Sequence, residues 1–299
     1  MTFKPSSILA TAVIPWDEKF IFDESRFTNQ VARLASGLTR HVYIFGTAGE
    51  GYAVTDQQFQ RIASCFARCA AANQVRPMIG VISLSLGTII ERIEFGRALG
   101  IKEFQLSLPC WGALNDTEVD RFFAETCGRF ADCHFLHYNN SRSKRMLTAP
   151  EYLRLADRHP NLVAVKTGVS DPAILSELLK VRRLRFYFTE FGYAAARANG
   201  AECGLLISLS SANSEMGIKF ATCATAEREA MLADIKNILA SLHQIAGGRY
   251  HMDGGYDKLL WSVHDPDFPL RMLPPYSGPE PEDAAAFRRS LPAGWLPPA

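Results

Sequence analysis

The chain has almost no charge imbalance: 32 lysines and arginines stand against 31 aspartates and glutamates, a formal net charge of +1. Without an excess of either sign, neither nucleic acid nor a membrane surface is expected as a partner, and a small neutral or anionic metabolite is the more natural ligand. Metal-type cysteine pairing is missing as well. The seven cysteines (Cys65, Cys69, Cys110, Cys127, Cys133, Cys203, Cys223) are odd in number, scattered and without a C-x-x-C pair, which suggests reduced thiols in a cytoplasm. Cys65 and Cys69, four apart beside Ala70-Ala71-Ala72, read as small core residues of a helix. There is no H-E-x-x-H or comparable cluster, so neither a metal nor another cofactor is expected. Met1-Thr2-Phe3-Lys4-Pro5 and the short apolar stretch that ends at Pro15 fit neither a signal peptide nor a membrane span. No internal repeat or low-complexity segment interrupts the chain.

What is present is a regular alternation. Short apolar or β-branched runs give way to longer amphipathic stretches for about 220 residues, the pattern of βα units around a parallel sheet. Strands are expected at Ile8 to Ile14, His41 to Phe45, Met78 to Ile82, Glu103 to Ser107, His134 to Tyr138, Leu162 to Lys166, Phe186 to Thr189 and Gly204 to Ser208. Helices are expected at Thr55 to Ala72, capped by Thr55-Asp56, and at Asp116 to Phe130, opened by the capping-box pattern Thr117-Glu118-Val119-Asp120. Eight strands and eight helices are the count of a closed α/β (β/α)8 TIM barrel, a fold that commonly fills one domain of about 250 residues. We place the barrel at residues 1–224 and read residues 225–299 as a C-terminal helical extension packed on it. The Pro-rich passage Leu273 to Pro279 follows apolar Phe268, Leu270 and Met272 and reads as an ordered turn.

Barrel active sites lie at the C-terminal strand ends, so the residues there carry the functional reading. Lys166 closes the apolar run Leu162-Val163-Ala164-Val165 as its only charge. Low-dielectric surroundings disfavour an ammonium, and a neutral amine can attack a carbonyl carbon to form a Schiff base. The alternative is a strand-end lysine that has simply reached solvent. Period-two alternation puts Tyr138 on the corresponding side of strand five, where it is either a rim aromatic or the acid/base partner that imine formation needs. Strand two ends in Gly46-Thr47-Ala48-Gly49-Glu50-Gly51, whose glycines allow a tight turn and whose amides could receive a carboxylate. Glu50 reads as a brace for that turn. His137 alternates outward and reads as a packing histidine. The segments after strands seven and eight, Glu190-Phe191-Gly192-Tyr193 and Ser208-Leu209-Ser210-Ser211, lack a phosphate-binding glycine cluster.

G-T-A-G-E at Gly46 to Glu50, Y-N-N at Tyr138 to Asn140 and A-V-K-T at Ala164 to Thr167, in that order and spacing, resemble the dihydrodipicolinate synthase and N-acetylneuraminate lyase superfamily. The resemblance runs from about Ile8 through Ile207-Ser208 and weakly into Arg271 to Pro275. It implies class I aldolase chemistry on pyruvate or another 2-oxo acid. Lys166 would form the imine, Tyr138 would shuttle protons and Thr47 would relay them. The amides of Thr47 and Ala48 would hold the carboxylate, and the backbone around Ile207 would line the same pocket. The family also implies a homo-oligomer, a dimer or a tetramer built from dimers.

Three departures bear on the substrate. Ala48 stands where a second threonine is usual, keeping the amide but losing a hydroxyl. Trp111 stands nearest the usual strand-four tyrosine, and an indole cannot relay a proton as a phenol can. Asn140-Ser141-Arg142-Ser143-Lys144-Arg145 replaces the usual P-S-R-T-G segment, with Arg142 one position early for its substrate-clamping arginine. Trp111 is then an apolar wall for the substrate or a packing contact, and Arg142 a clamp or part of a solvated loop. Together these changes argue against true dihydrodipicolinate synthesis. The expected activity is a cofactor-independent Schiff-base lyase for a 2-oxo acid, acting by aldol cleavage or dehydration, with a 2-keto-3-deoxy sugar acid among the candidate substrates. The rivals are a degenerate barrel that binds a 2-oxo acid as sensor or scaffold, and a metal- or flavin-dependent barrel enzyme.

Overall fold

The computed structural model describes residues 7–297, so the Met1 to Pro5 segment lies outside the described residues. The chain divides into two compact units, one built on Pro77–Leu206 and the other on Ile8–Arg76 with residues 207–297.

The first unit carries six strands: β3 (Arg76–Gly80, entering at Pro77), β4 (Glu103–Leu106), β5 (His134–Asn139), β6 (Leu162–Thr167), β7 (Arg185–Phe188) and β8 (Gly204–Leu205). Each pairs in parallel with the next. Helices Leu86–Ala98, Asp116–Phe123, Ala149–Arg158, Pro172–Leu179 and Glu190–Ala198 alternate with them. The second unit holds the parallel pair β1 (Ala10–Thr11) and β2 (His41–Ile44) and helices Glu24–Gly37, Asp56–Ala72, Ser214–Thr222, Thr225–Ala246, Asp253–Ser262 and Pro281–Ser290. In chain order these eleven helices are α1 to α11.

All eight expected strands are present, and they succeed one another as β1 to β8. Among the described residues the ladder runs from β1 to β8, whose end strands are each two residues long, and the Leu205 amide of β8 bonds the Ser7 carbonyl at 2.9 Å. The eightfold βα alternation of a TIM-barrel-type fold and the C-terminal helices are therefore established. Closure of the ladder, expected from the strand count, is not.

Local chemistry explains most of the boundaries. Thr55 caps α2 by accepting from the Gln58 amide, while the Gln58 side chain returns a bond to the Thr55 amide. At α4 the capping residue is Asn115, paired with Glu118, and not the expected Thr117. Asn115 has the extended backbone that leaves its side chain free to reach the amide three residues on. That helix also ends early, passing into a π-turn at Ala124–Gly128.

Candidate active site

In the unit built on Pro77–Leu206 the β5–β6 ladder sets Tyr138 directly opposite Lys166, and the β6–β7 ladder sets Lys166 opposite Tyr187. Which way these side chains point is fixed by their neighbours. His137 packs on Phe123 of α4 and Tyr152 of α5, its Nδ1 2.7 Å from the Tyr152 hydroxyl, so the face of Tyr138 and Lys166 is turned away from those helices. The outward packing role expected of His137 is thus observed, and burial takes its imidazole down to about 3, leaving it neutral.

Lys166 is only 5% exposed, which removes the reading of a lysine that has reached solvent. Its Nζ lies over the Tyr138 ring, 4.0 Å from the centroid. Amine and phenol, 28 positions apart in the chain, are brought into contact by a single step across the sheet.

The next residues fix the loop beyond β5. Asn139 exchanges two hydrogen bonds with the Leu147 backbone, at 2.8 and 2.9 Å. Lys144, with a left-handed φ of 58°, donates to the Trp111 carbonyl at 2.9 Å. Arg145 donates to the Leu114 carbonyl and pairs with Asp116 and Glu151. Two of the three cations in this segment therefore tie it to the loop after β4. Arg142 is exposed at the start of the turn, its amide bonded to the Asn140 side chain. Trp111 is 84% exposed.

Sequence reasoning did not single out Glu190. It opens α7, capped at Thr189, two residues beyond the end of β7 and three beyond the register partner of Lys166. It is buried, and burial pushes its carboxyl up to about 7. A first-turn glutamate is ordinarily a solvated complement to the helix dipole. The available signal was its place just past a strand end, where a barrel collects its chemistry.

In the other unit the turn after β2 is tightly made. Phe45 and Glu50 both adopt left-handed backbone, φ 59° and 55°, a conformation that costs non-glycine residues energy and is kept where surroundings enforce it. Any Cβ at Gly51 would lie 2.1 Å from the Phe45 carbonyl oxygen, so the turn requires glycine there. Thr47 and Ala48 are buried within it, and the Glu50 amide bonds the Thr47 carbonyl at 3.2 Å.

Glu50 is the brace expected, and its partners come from far along the chain. Its Oε1 accepts from Trp16 Nε1 at 2.9 Å and from Lys258 Nζ at 2.6 Å; its Oε2 accepts from the Leu273 amide at 2.7 Å. Lys258 also donates to the Arg271 carbonyl, and both charged side chains are wholly buried. Burial lowers the Lys258 ammonium pKa and Glu50 opposes that shift. Nearby, Gly254 of α10 lets that helix approach the turn, because a Cβ there would sit 2.9 Å from the Ala48 carbonyl oxygen. Ile207, also buried, precedes the short helical turn Ser208–Ser211 and accepts from the Ser210 hydroxyl at 2.5 Å.

A protein of Pseudarthrobacter chlorophenolicus named as a probable 5-dehydro-4-deoxyglucarate dehydratase is 25% identical over 167 residues, 55% of this chain and 52% of that protein. The chain spans about half the length of the curated relatives it matches. Among solved structures, YagE from E. coli K12, a prophage protein of the dihydrodipicolinic acid synthase family in complex with pyruvate, superposes with a TM-score of 0.81 at 14% identity, covering 95% of this chain and 96% of that one. Proteus mirabilis N-acetylneuraminate lyase gives 0.80 at 18% identity, covering 95% and 97%. At such identities the likeness is one of fold. The sequence model of the dihydrodipicolinate synthetase family, however, matches residues 4–276, and the chain belongs to that family.

Proposed function

We propose that the protein is a Schiff-base-forming lyase for pyruvate or another 2-oxo acid. The observation that carries this reading is the buried Lys166 amine held over the Tyr138 ring on adjacent strands. In this mechanism the neutral amine adds to C2 of the 2-oxo acid to give a carbinolamine. Tyr138 donates the proton with which the former carbonyl oxygen leaves as water, and the iminium forms. The iminium nitrogen then accepts the electron pair released when a bond to the neighbouring carbon breaks, and Tyr138 moves the accompanying proton. Hydrolysis returns the amine.

Loss of an aldehyde and loss of water share these first steps. The Pseudarthrobacter relative is named as a dehydratase, and the lyase neighbour acts on an acyl neuraminate by its name, so both outcomes fall within the proposal. On the strength of the sequence motif, the amides of Thr47 and Ala48 take the carboxylate, Thr47 relays protons and Ile207 lines the pocket. Trp111 and Arg142 are assigned to the distal part of the substrate. We also assign the protein to the cytoplasm as a homo-oligomer; among the described residues no helix is long and apolar enough to cross a membrane.

Borohydride reduction in the presence of pyruvate tests the reading. A stable adduct should appear only with the 2-oxo acid and map to Lys166. The absence of any adduct, or equal labelling of Lys166→Ala, refutes it.

A further inference from the structure

Two polar side chains, Gln105 on β4 and Ser107 just beyond its end, have no hydrogen-bond partner among the described residues. The β4–β5 ladder pairs Gln105 with Leu136 and Leu106 with His137, and the next step of the same register carries Ser107 to Tyr138. His137 faces the helices and Phe104 lies against Gly96 of α3, so Gln105 and Ser107 share the opposite face with Tyr138 and Lys166. Gln105 is 0% exposed and Ser107 7% exposed. Among the described residues, neither Oε1 nor Nε2 of Gln105, nor Oγ of Ser107, has a hydrogen-bond partner.

Buried polar atoms are almost always paired, and one left unpaired after losing water carries a penalty worth roughly ten- to a hundredfold in an equilibrium. Leucine at position 105 and alanine at position 107 would fill nearly the same volumes without that penalty. Their presence on the face that carries Tyr138 and Lys166 therefore points to a ligand that supplies the missing bonds. A carboxamide offers one acceptor and two donors, and a serine hydroxyl one donor and two lone pairs. Together they match an alcohol group, which both gives and accepts. They do not match a methyl group, whose approach would leave all three atoms desolvated and unbonded.

We propose that Ser107, with Gln105 one layer below it, forms a subsite that hydrogen-bonds a hydroxyl carried by the 2-oxo acid, so that the site selects a hydroxylated substrate over pyruvate. This rests on the Schiff-base reading of Lys166 and adds residues that read a hydroxyl on the same molecule. Ser107 and Gln105 act here in recognition, and the bond-making steps stay with Lys166 and Tyr138.

The test compares pyruvate with 2-oxo-3-deoxygluconate in wild type, Ser107→Ala and Gln105→Leu. The quantity read is the concentration giving half-maximal borohydride trapping on Lys166, alongside thermal midpoints. Wild type should prefer the hydroxylated acid, and each variant should reduce that preference about 10- to 100-fold without lowering its midpoint, since an unbonded buried polar group has been removed. Should Gln105→Leu fail to fold, Gln105→Met, of similar length, takes its place. An unchanged preference in both variants overturns the inference while leaving the lysine chemistry standing. A lowered midpoint with unchanged preference also overturns it, because the polar atoms then serve an internal water. No trapping of either acid by wild type overturns the Schiff-base reading, and the subsite with it.

Discussion

Replacing Glu190 with glutamine removes a buried carboxyl while keeping its shape, and the consequence can be worked out from its environment. In the fold this group titrates at about 7, raised by burial, against an ordinary glutamate value of 4.5. Below pH 4.5 it is protonated in folded and unfolded chains alike and contributes no pH dependence. Between 4.5 and 7 the unfolded chain releases the proton while the fold retains it, so the folded state binds more protons and stability falls as pH rises. Above about 7 both states are ionised and the loss is complete. At about 1.4 kcal/mol for each pH unit separating the two values, the total comes to roughly 3 kcal/mol. Denaturant unfolding of wild type and Glu190→Gln from pH 4.5 to 8.5 isolates this term, because other titrating groups cancel in the difference. The variant should gain stability relative to wild type by about 3 kcal/mol across that range, with most of the gain achieved by pH 7. A flat difference, or one of opposite sign, refutes the assignment of a buried neutral carboxyl at this strand end.

Tyr138→Phe keeps the ring under the Lys166 amine but removes the transferable proton, and turnover should fall by ~10²- to 10⁴-fold; steady-state rates with a substrate found by trapping would show it. Lys258→Met leaves the Glu50 carboxyl without its cation in a fully buried setting and should cost about 3–5 kcal/mol, read as a lowered denaturation midpoint, while the double variant Glu50→Gln with Lys258→Met recovers much of that loss. His137 has the opposite pH signature to Glu190. Its folded value of about 3 lies below that of the unfolded chain, so its contribution is present above pH 6.5 and lost as pH falls. Wild type should lose about 3 kcal/mol between pH 6.5 and 4 relative to His137→Phe, measured by denaturant unfolding at each pH.

The lysine–tyrosine pair was legible because it depends on short-range rules. An apolar run ending in one cation marks a buried strand, period two gives the facing side, and parallel neighbours in a barrel-type sheet follow chain order, so Tyr138 and Lys166 had to meet. Glu50 shows where such rules stop. Its role as a brace was readable from the tight glycine-rich turn, but its cation lies 208 positions away, on a helix whose burial nothing local declares. Gln105 and Glu190 fail for a related reason. Alternation places Gln105 on the inner face, and a strand end places Glu190 near the chemistry, yet whether a polar group in such a position is bonded, solvated or stranded depends on every side chain packed around it. A sequence therefore exposes the nucleophile of such a site more readily than its specificity. The proposed nucleophile is a charge where none is expected, whereas the groups proposed to choose the substrate are ordinary polar residues whose distinguishing property is a bond not made among the described residues.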